Sequence, residues 1–110
     1  MRFALLALAA FAVLVMDAPR AEAQEVNCRR PASAADAMVC RYPQLLDLDD
    51  RVARRYAHLR RELYGRDRNE LERDHLQFRR ARRDCYDNAR CLEAMYHRRL
   101  DELREYRRRY

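Results

Sequence analysis

Residues 43–63 read PQLLDLDDRVARRYAHLRREL, and this stretch decides the fold. Leu45, Val52 and Leu59 are spaced seven apart, with Leu48, Tyr56 and Leu63 beside them. An apolar stripe sustained over about 20 residues is the mark of an amphipathic helix with one buried face. Pro43 suits the first helical position, where its missing N–H costs nothing. Tyr42, directly before it, is pushed towards extended backbone. On the other faces, Asp47–Arg51, Asp50–Arg54 and Glu62–Arg66 have the i,i+4 spacing of acid–base pairs. Each such pair supports a helix by about 0.2–0.5 kcal/mol.

Working outward, Gly65 is expected to end this helix in the left-handed position. Asp67, with Glu70 three residues on, is expected to start the next. There Leu71, Phe78 and Cys85 are again seven apart, and His75 and Arg82 fall on the same face. The short connection makes the two helices an antiparallel hairpin. Upstream, residues 24–32 read as an extended lead-in. Ser33 to Asp36 form a capping box, Ser33 accepting from the Asp36 amide and Asp36 reaching back, with a short helix to about Arg41. Downstream, Asp87-Asn88 breaks the chain and Asn88 can cap a last helix. Leu92, Met95, Tyr96, Leu100 and Leu103 form its apolar face. Tyr106 to Tyr110 is expected to fray. The fold expected is all-α: a short helix, an antiparallel helical hairpin and a C-terminal helix. A single glycine and three prolines suit it.

The first residues read differently. Arg2 is a positive n-region, Ala4 to Met16 is apolar throughout, and Ala21-Glu22-Ala23 is a small-x-small cleavage pattern. The expectation is a signal peptide over residues 1–23 and a single domain over 24–110. The apolar run falls short of the about 20 residues a membrane span needs, which weighs against the alternative of an N-terminal anchor. A lipid anchor is weaker still, because Glu25-Val26-Asn27 precedes Cys28. Removing residues 1–23 takes away two arginines and two acids, so the net charge of +6 is unchanged. The basic residues are all arginine.

A small exported domain is marginal unless stapled. Cys28, Cys40, Cys85 and Cys91 are an even set in an oxidising compartment, which points to two disulfides. Folding back about Gly65 places Cys40 beside Cys85 and Cys91. The pairing expected on that ground is Cys40–Cys85 with Cys28–Cys91, the crossed alternative being Cys28–Cys85 with Cys40–Cys91.

Four blocks carry a family resemblance: Cys28 with Ser33 to Cys40; Pro43 with Leu45, Leu48-Asp49 and Tyr56; Phe78, Arg82 and Asp84-Cys85; and Cys91-Leu92, Tyr96 and Arg99-Leu100 with Leu103. Together they resemble the lysozyme inhibitor LprI-like family of small exported helical domains. His75 and Phe78 stand where the family carries Gln and then Trp, and Tyr42 stands where an aspartate often precedes the proline. The resemblance implies a lysozyme as the protein partner. It carries no inhibitory residue onto a numbered position.

Little in the chain suggests catalysis. Ser33 is its single serine and already serves as a cap, there is no threonine, and a small helical hairpin leaves little room for a cleft. His58, His75 and His97 lack metal-ligand spacing, His75 being expected half-buried and the others exposed. Cys85 and Cys91 are too far apart for a redox C-x-x-C. No enzyme activity, metal or cofactor is therefore expected. Arg82 is expected to pair with Asp49 on the facing helix. Arg79, Arg80 and Arg83, with the acidic patch of Asp47, Asp49 and Asp50, form the candidate binding surface. The function expected is an exported, periplasmic or secreted, binding protein that inhibits a lysozyme, an arginine offering a bidentate mate to cleft carboxylates. The alternative is a basic envelope protein holding anionic cell-wall or outer-membrane polymers through its arginines, those of Arg104 and Arg107 to Arg109 included. Specific nucleic-acid binding is not expected after export.

Overall fold

The computed structural model describes residues 25–110. The expected signal peptide and cleavage site lie outside the described residues. An irregular lead-in, residues 25–33, is followed by four helices: α1 (Ala34–Arg41), α2 (Pro43–Glu62), α3 (Gly65–Arg83) and α4 (Ala89–Arg109). There is no strand among the described residues, and none of the helices is long and apolar enough to cross a membrane. The chain is all-α, as its periodicity requires.

Each helix starts where local chemistry allows. Ser33 accepts from the Asp36 amide at 3.1 Å and caps α1. Tyr42 is extended and serves both as the end of α1 and as the N-cap of α2, with Pro43 in the first turn. Asn88 accepts from the Cys91 amide at 3.0 Å and caps α4. Gly65 departs from expectation. Helix α2 stops at Glu62, Leu63 and Tyr64 are extended, and Gly65 opens α3 with φ +61° rather than closing α2. The break lies between Glu62 and Arg66, so these two do not pair. Glu62 instead accepts from His58 at 2.9 Å. Asp47–Arg51 and Asp50–Arg54 form as expected, at 3.1 and 2.9 Å.

The core is built from the stripes: Leu45, Leu48, Val52, Leu59 and Leu63; Leu71, Phe78 and Cys85; Leu92, Tyr96, Leu100 and Leu103. Val26 from the lead-in and Ala35 and Val39 from α1 close it. Helix α4 does not fray at Tyr106. Tyr106 is buried and its hydroxyl donates to Asp74, which fastens the last turns of α4 to α3.

The disulfides are Cys28–Cys40 and Cys85–Cys91, not the expected cross-hairpin pairs. Helix ends brought together by the hairpin do not decide the pairing; the local path of the chain does. The lead-in doubles back over α1, bringing Cys28 within 5.6 Å of Cys40 between Cα atoms. The tight turn after α3 returns Cys91 to within 5.5 Å of Cys85. These are short loops, with separations of 12 and 6 residues. In the loop-entropy account they contribute about 3 and about 2 kcal/mol, less than a bond spanning the hairpin.

Candidate functional site

Asp49 has no exposed surface and is the hub of the molecule. Its Oδ2 accepts the amides of Glu25 at 2.8 Å and Val26 at 3.3 Å. Its Oδ1 accepts the Tyr96 hydroxyl at 2.8 Å and faces Arg82 Nη1 at 3.5 Å. One carboxylate on α2 thus ties down the lead-in, α3 and α4. Burial pushes the Asp49 carboxyl up, beyond what these bonds and the Arg82 charge return. The expected Arg82–Asp49 pair is present, with a second acid that sequence reasoning missed. Arg82 Nη2 bonds Asp36 at 3.2 Å, so Asp36 reaches across to α3 instead of back to Ser33.

A second layer lies beside the hub. Glu25 Oε1 is 2.7 Å from His75 Nε2, and Glu25 Oε2 accepts from Arg79 at 2.7 Å. His75 is fully buried rather than half-buried and is stacked on Tyr56 with ring centroids 3.7 Å apart. Arg99 Nε and Nη2 both approach His75 Nδ1 at 3.2 Å. An arginine only donates, so Nδ1 accepts, and the ring is the neutral tautomer whose Nε2–H donates to Glu25. Burial pulls the His75 pKa down, helped by the Arg99 charge and opposed by Glu25. For Glu25, burial pushes up, but the hydrogen bonds from His75 and Arg79 outweigh it and hold the carboxyl below its usual range. The buried guanidiniums of Arg82 and Arg99 lie 5.8 and 5.9 Å from the centroid of the Phe78 ring.

This network has the residue types of an active site, each held by a partner inside the protein. Its carboxylates and histidine are turned inward on fixed partners. Among the described residues no group of three or more His, Cys, Asp or Glu side chains could hold a metal ion. Above the network, however, is an open cleft of about 440 Å³. Glu25, Asn27 and Ala32 of the lead-in, Asp36 of α1, Ala53, Tyr56 and Ala57 of α2 and Arg79, Arg82 and Arg83 of α3 line it. Three of its wall residues, Ala32, Ala53 and Ala57, are small. A second, basic groove of about 230 Å³ runs between α2 and α4, lined by Arg54, Arg55, His58, Leu59, Leu103, Arg104 and Arg107. No acid lines it.

The structure therefore divides the sequence-predicted surface. Arg79 and Arg83 come together at the first cleft, and exposed Arg80 is not part of it. Asp47 and half-buried Asp50 are engaged by Arg51 and Arg54, while Asp49 is wholly internal, so the three do not form one acidic patch. Glu25, Asp36 and Arg99 were missed. Their signal is weak in sequence, because acids and arginines alternate everywhere and only the fold shows which are enclosed. No family model matches the chain, and no curated protein or solved structure matches it.

Proposed function

We propose that this chain is an exported protein-binding domain whose target is a lysozyme, which it inhibits by covering the carboxylate-bearing cleft of the enzyme. The observation that carries the reading is a division of labour. Most of the residues behind the LprI-like resemblance, among them Asp49, Phe78, Arg82, Cys85, Tyr96, Arg99, Leu100 and Leu103, are buried and build the scaffold, while Cys28, Pro43 and Asp84 are exposed. Arginines are left to define the surface, and a framework pinned by two disulfides and a buried ionic network loses little freedom on binding. A guanidinium on such a rigid face is the bidentate partner that a glycosidase carboxylate accepts.

The test is a dose–response of oxidised mature protein, Gln24 to Tyr110, on peptidoglycan lysis by several lysozyme types at low and physiological salt. Saturable, near-stoichiometric inhibition that survives salt is the expected result. Its absence removes the lysozyme reading.

A second reading rests on the α2–α4 groove. Arg55 and Arg107 over a leucine floor, outside the ion pairs that engage Arg54, His58 and Arg104, suit an anionic envelope polymer. Such binding weakens steeply with salt.

A further inference from the structure

We propose that the turn between α3 and α4, closed by Cys85–Cys91, is the inhibitory loop of the molecule, and that Tyr86 is the anchor it inserts into the cleft of a lysozyme. This deepens the lysozyme reading and rests on it. Three features lead there. The first is strain without an internal use. Tyr86 holds left-handed backbone, with φ +50°, and among the described residues it is the one residue other than glycine that does so. That conformation costs any residue with a Cβ, glycine excepted and asparagine least. Within the chain the ring gives little in return. It is 67% exposed, and the aromatic pairs of the described residues join Tyr56, His75, Phe78, Tyr96, Tyr106 and Tyr110, not Tyr86. Strain kept at an exposed position points to a contact outside the fold.

The second feature is rigidity. The Tyr86 amide donates to the Arg83 carbonyl and the Asn88 amide to the Cys85 carbonyl, each at 3.1 Å. Asn88 also caps α4, and the disulfide ties the ends of the turn, six residues apart. A tyrosine on so fixed a backbone has only its two side-chain torsions to lose on binding. The third feature is chemistry. A glycosidase cleft takes sugar rings, each with a flat face and a hydroxyl edge, and a tyrosine ring pairs an apolar face with a hydroxyl in the same way. Exposed Arg83 and Arg90 bracket the turn and can supply a guanidinium to a cleft carboxylate. Exposed Asp84 and Asp87 balance them, so the turn is neutral within a chain of net charge +6. A basic enzyme meets no net local repulsion there.

The experiment measures inhibition of peptidoglycan lysis, and Kd for the same lysozyme, with the oxidised mature protein and three variants. Tyr86→Asn removes the ring but keeps a residue suited to left-handed backbone. It is expected to melt no lower than the parent and to bind about thirtyfold more weakly, the loss of an interface hot spot. Tyr86→Phe keeps the ring and is expected to stay within about threefold of the parent. Tyr64→Ala is the control. Tyr64 is 85% exposed but has ordinary extended backbone, and it lies at the other end of α3, about 28 Å along the helix. This variant is expected to inhibit as the parent does. A soluble chitin oligosaccharide is expected to compete with the parent for the enzyme. An unchanged Kd in Tyr86→Asn overturns the anchor, as does an equal loss in Tyr64→Ala or in Tyr86→Phe. An oligosaccharide that leaves the parent's affinity unchanged overturns insertion into the cleft. A parent that inhibits no lysozyme overturns the lysozyme reading itself, and the anchor with it, so the two failures are distinct.

Discussion

Arg82 and Asp49 show how much can hang on one pair of side chains. Removing the guanidinium leaves Asp49 and Asp36 as buried carboxylates with one charged partner fewer each. Stranding a buried charge typically costs about 3–5 kcal/mol. Arg82→Ala is thus expected to lower stability by that amount in chemical denaturation, and an unchanged Tm would sink the structural role. His75 gives a second, separable prediction. Its folded-state pKa is lowered by burial, so the unfolded chain binds the proton more readily. Stability is then fully present above the unfolded value, about 6.5, and falls as the pH drops below it towards the folded value. Protonation must also break the Arg99 bond at Nδ1. The Glu25 carboxyl, held low, adds a further loss at more acid pH, as the solution falls through the carboxylate range. Asp49, held high, works in the opposite direction there. A Tm series from pH 8 to 5 is expected to decline, and His75→Asn is expected to flatten the upper part of that decline. An identical slope in the variant refutes the assignment.

Element boundaries show what a linear reading can and cannot reach. The stripes of α2, α3 and α4, the Ser33 and Asn88 caps and the Tyr42-Pro43 junction were all legible, because each depends on neighbours within a turn or two of the chain. The disulfide pairing was not, because it depends on the path of irregular segments that carry no periodicity. Gly65 and Tyr86 mark the same boundary. Both have positive φ, +61° and +50°, one opening α3 and the other in the turn that follows it. A glycine signals left-handed backbone without saying which helix it bounds, and a tyrosine gives no such signal at all. The two positions predict opposite outcomes. A Cβ at Gly65 meets nothing within 4 Å, so Gly65→Ala costs only the left-handed strain, about 1 kcal/mol. Tyr86 is 67% exposed and already bears that strain, so Tyr86→Gly is expected to gain a similar amount. Thermal denaturation of the two variants checks the pair, and a shift of the same sign in both contradicts it.

At the scale of the whole molecule, a net charge of +6 makes the two functional readings compete. Many lysozymes of animals are themselves basic, and like net charges slow encounter even when the contact surfaces fit. An anionic polymer has the reverse relation to this protein, drawn in by the same field. A single variant separates the two. Arg55 and Arg107 both line the α2–α4 groove and are exposed, so reversing them leaves the core untouched. Arg55→Glu with Arg107→Glu lowers the net charge from +6 to +2. If the groove holds a polymer, affinity falls and the slope of log K against log salt flattens by about one per lost contact. If the target is a basic lysozyme held at another face, the variant still inhibits, and at low salt it associates faster because repulsion has been relieved. Association rates for both ligands, measured on the parent and this variant across a salt series, give responses of opposite sign. The direction of the change therefore identifies which partner the charge of this molecule serves.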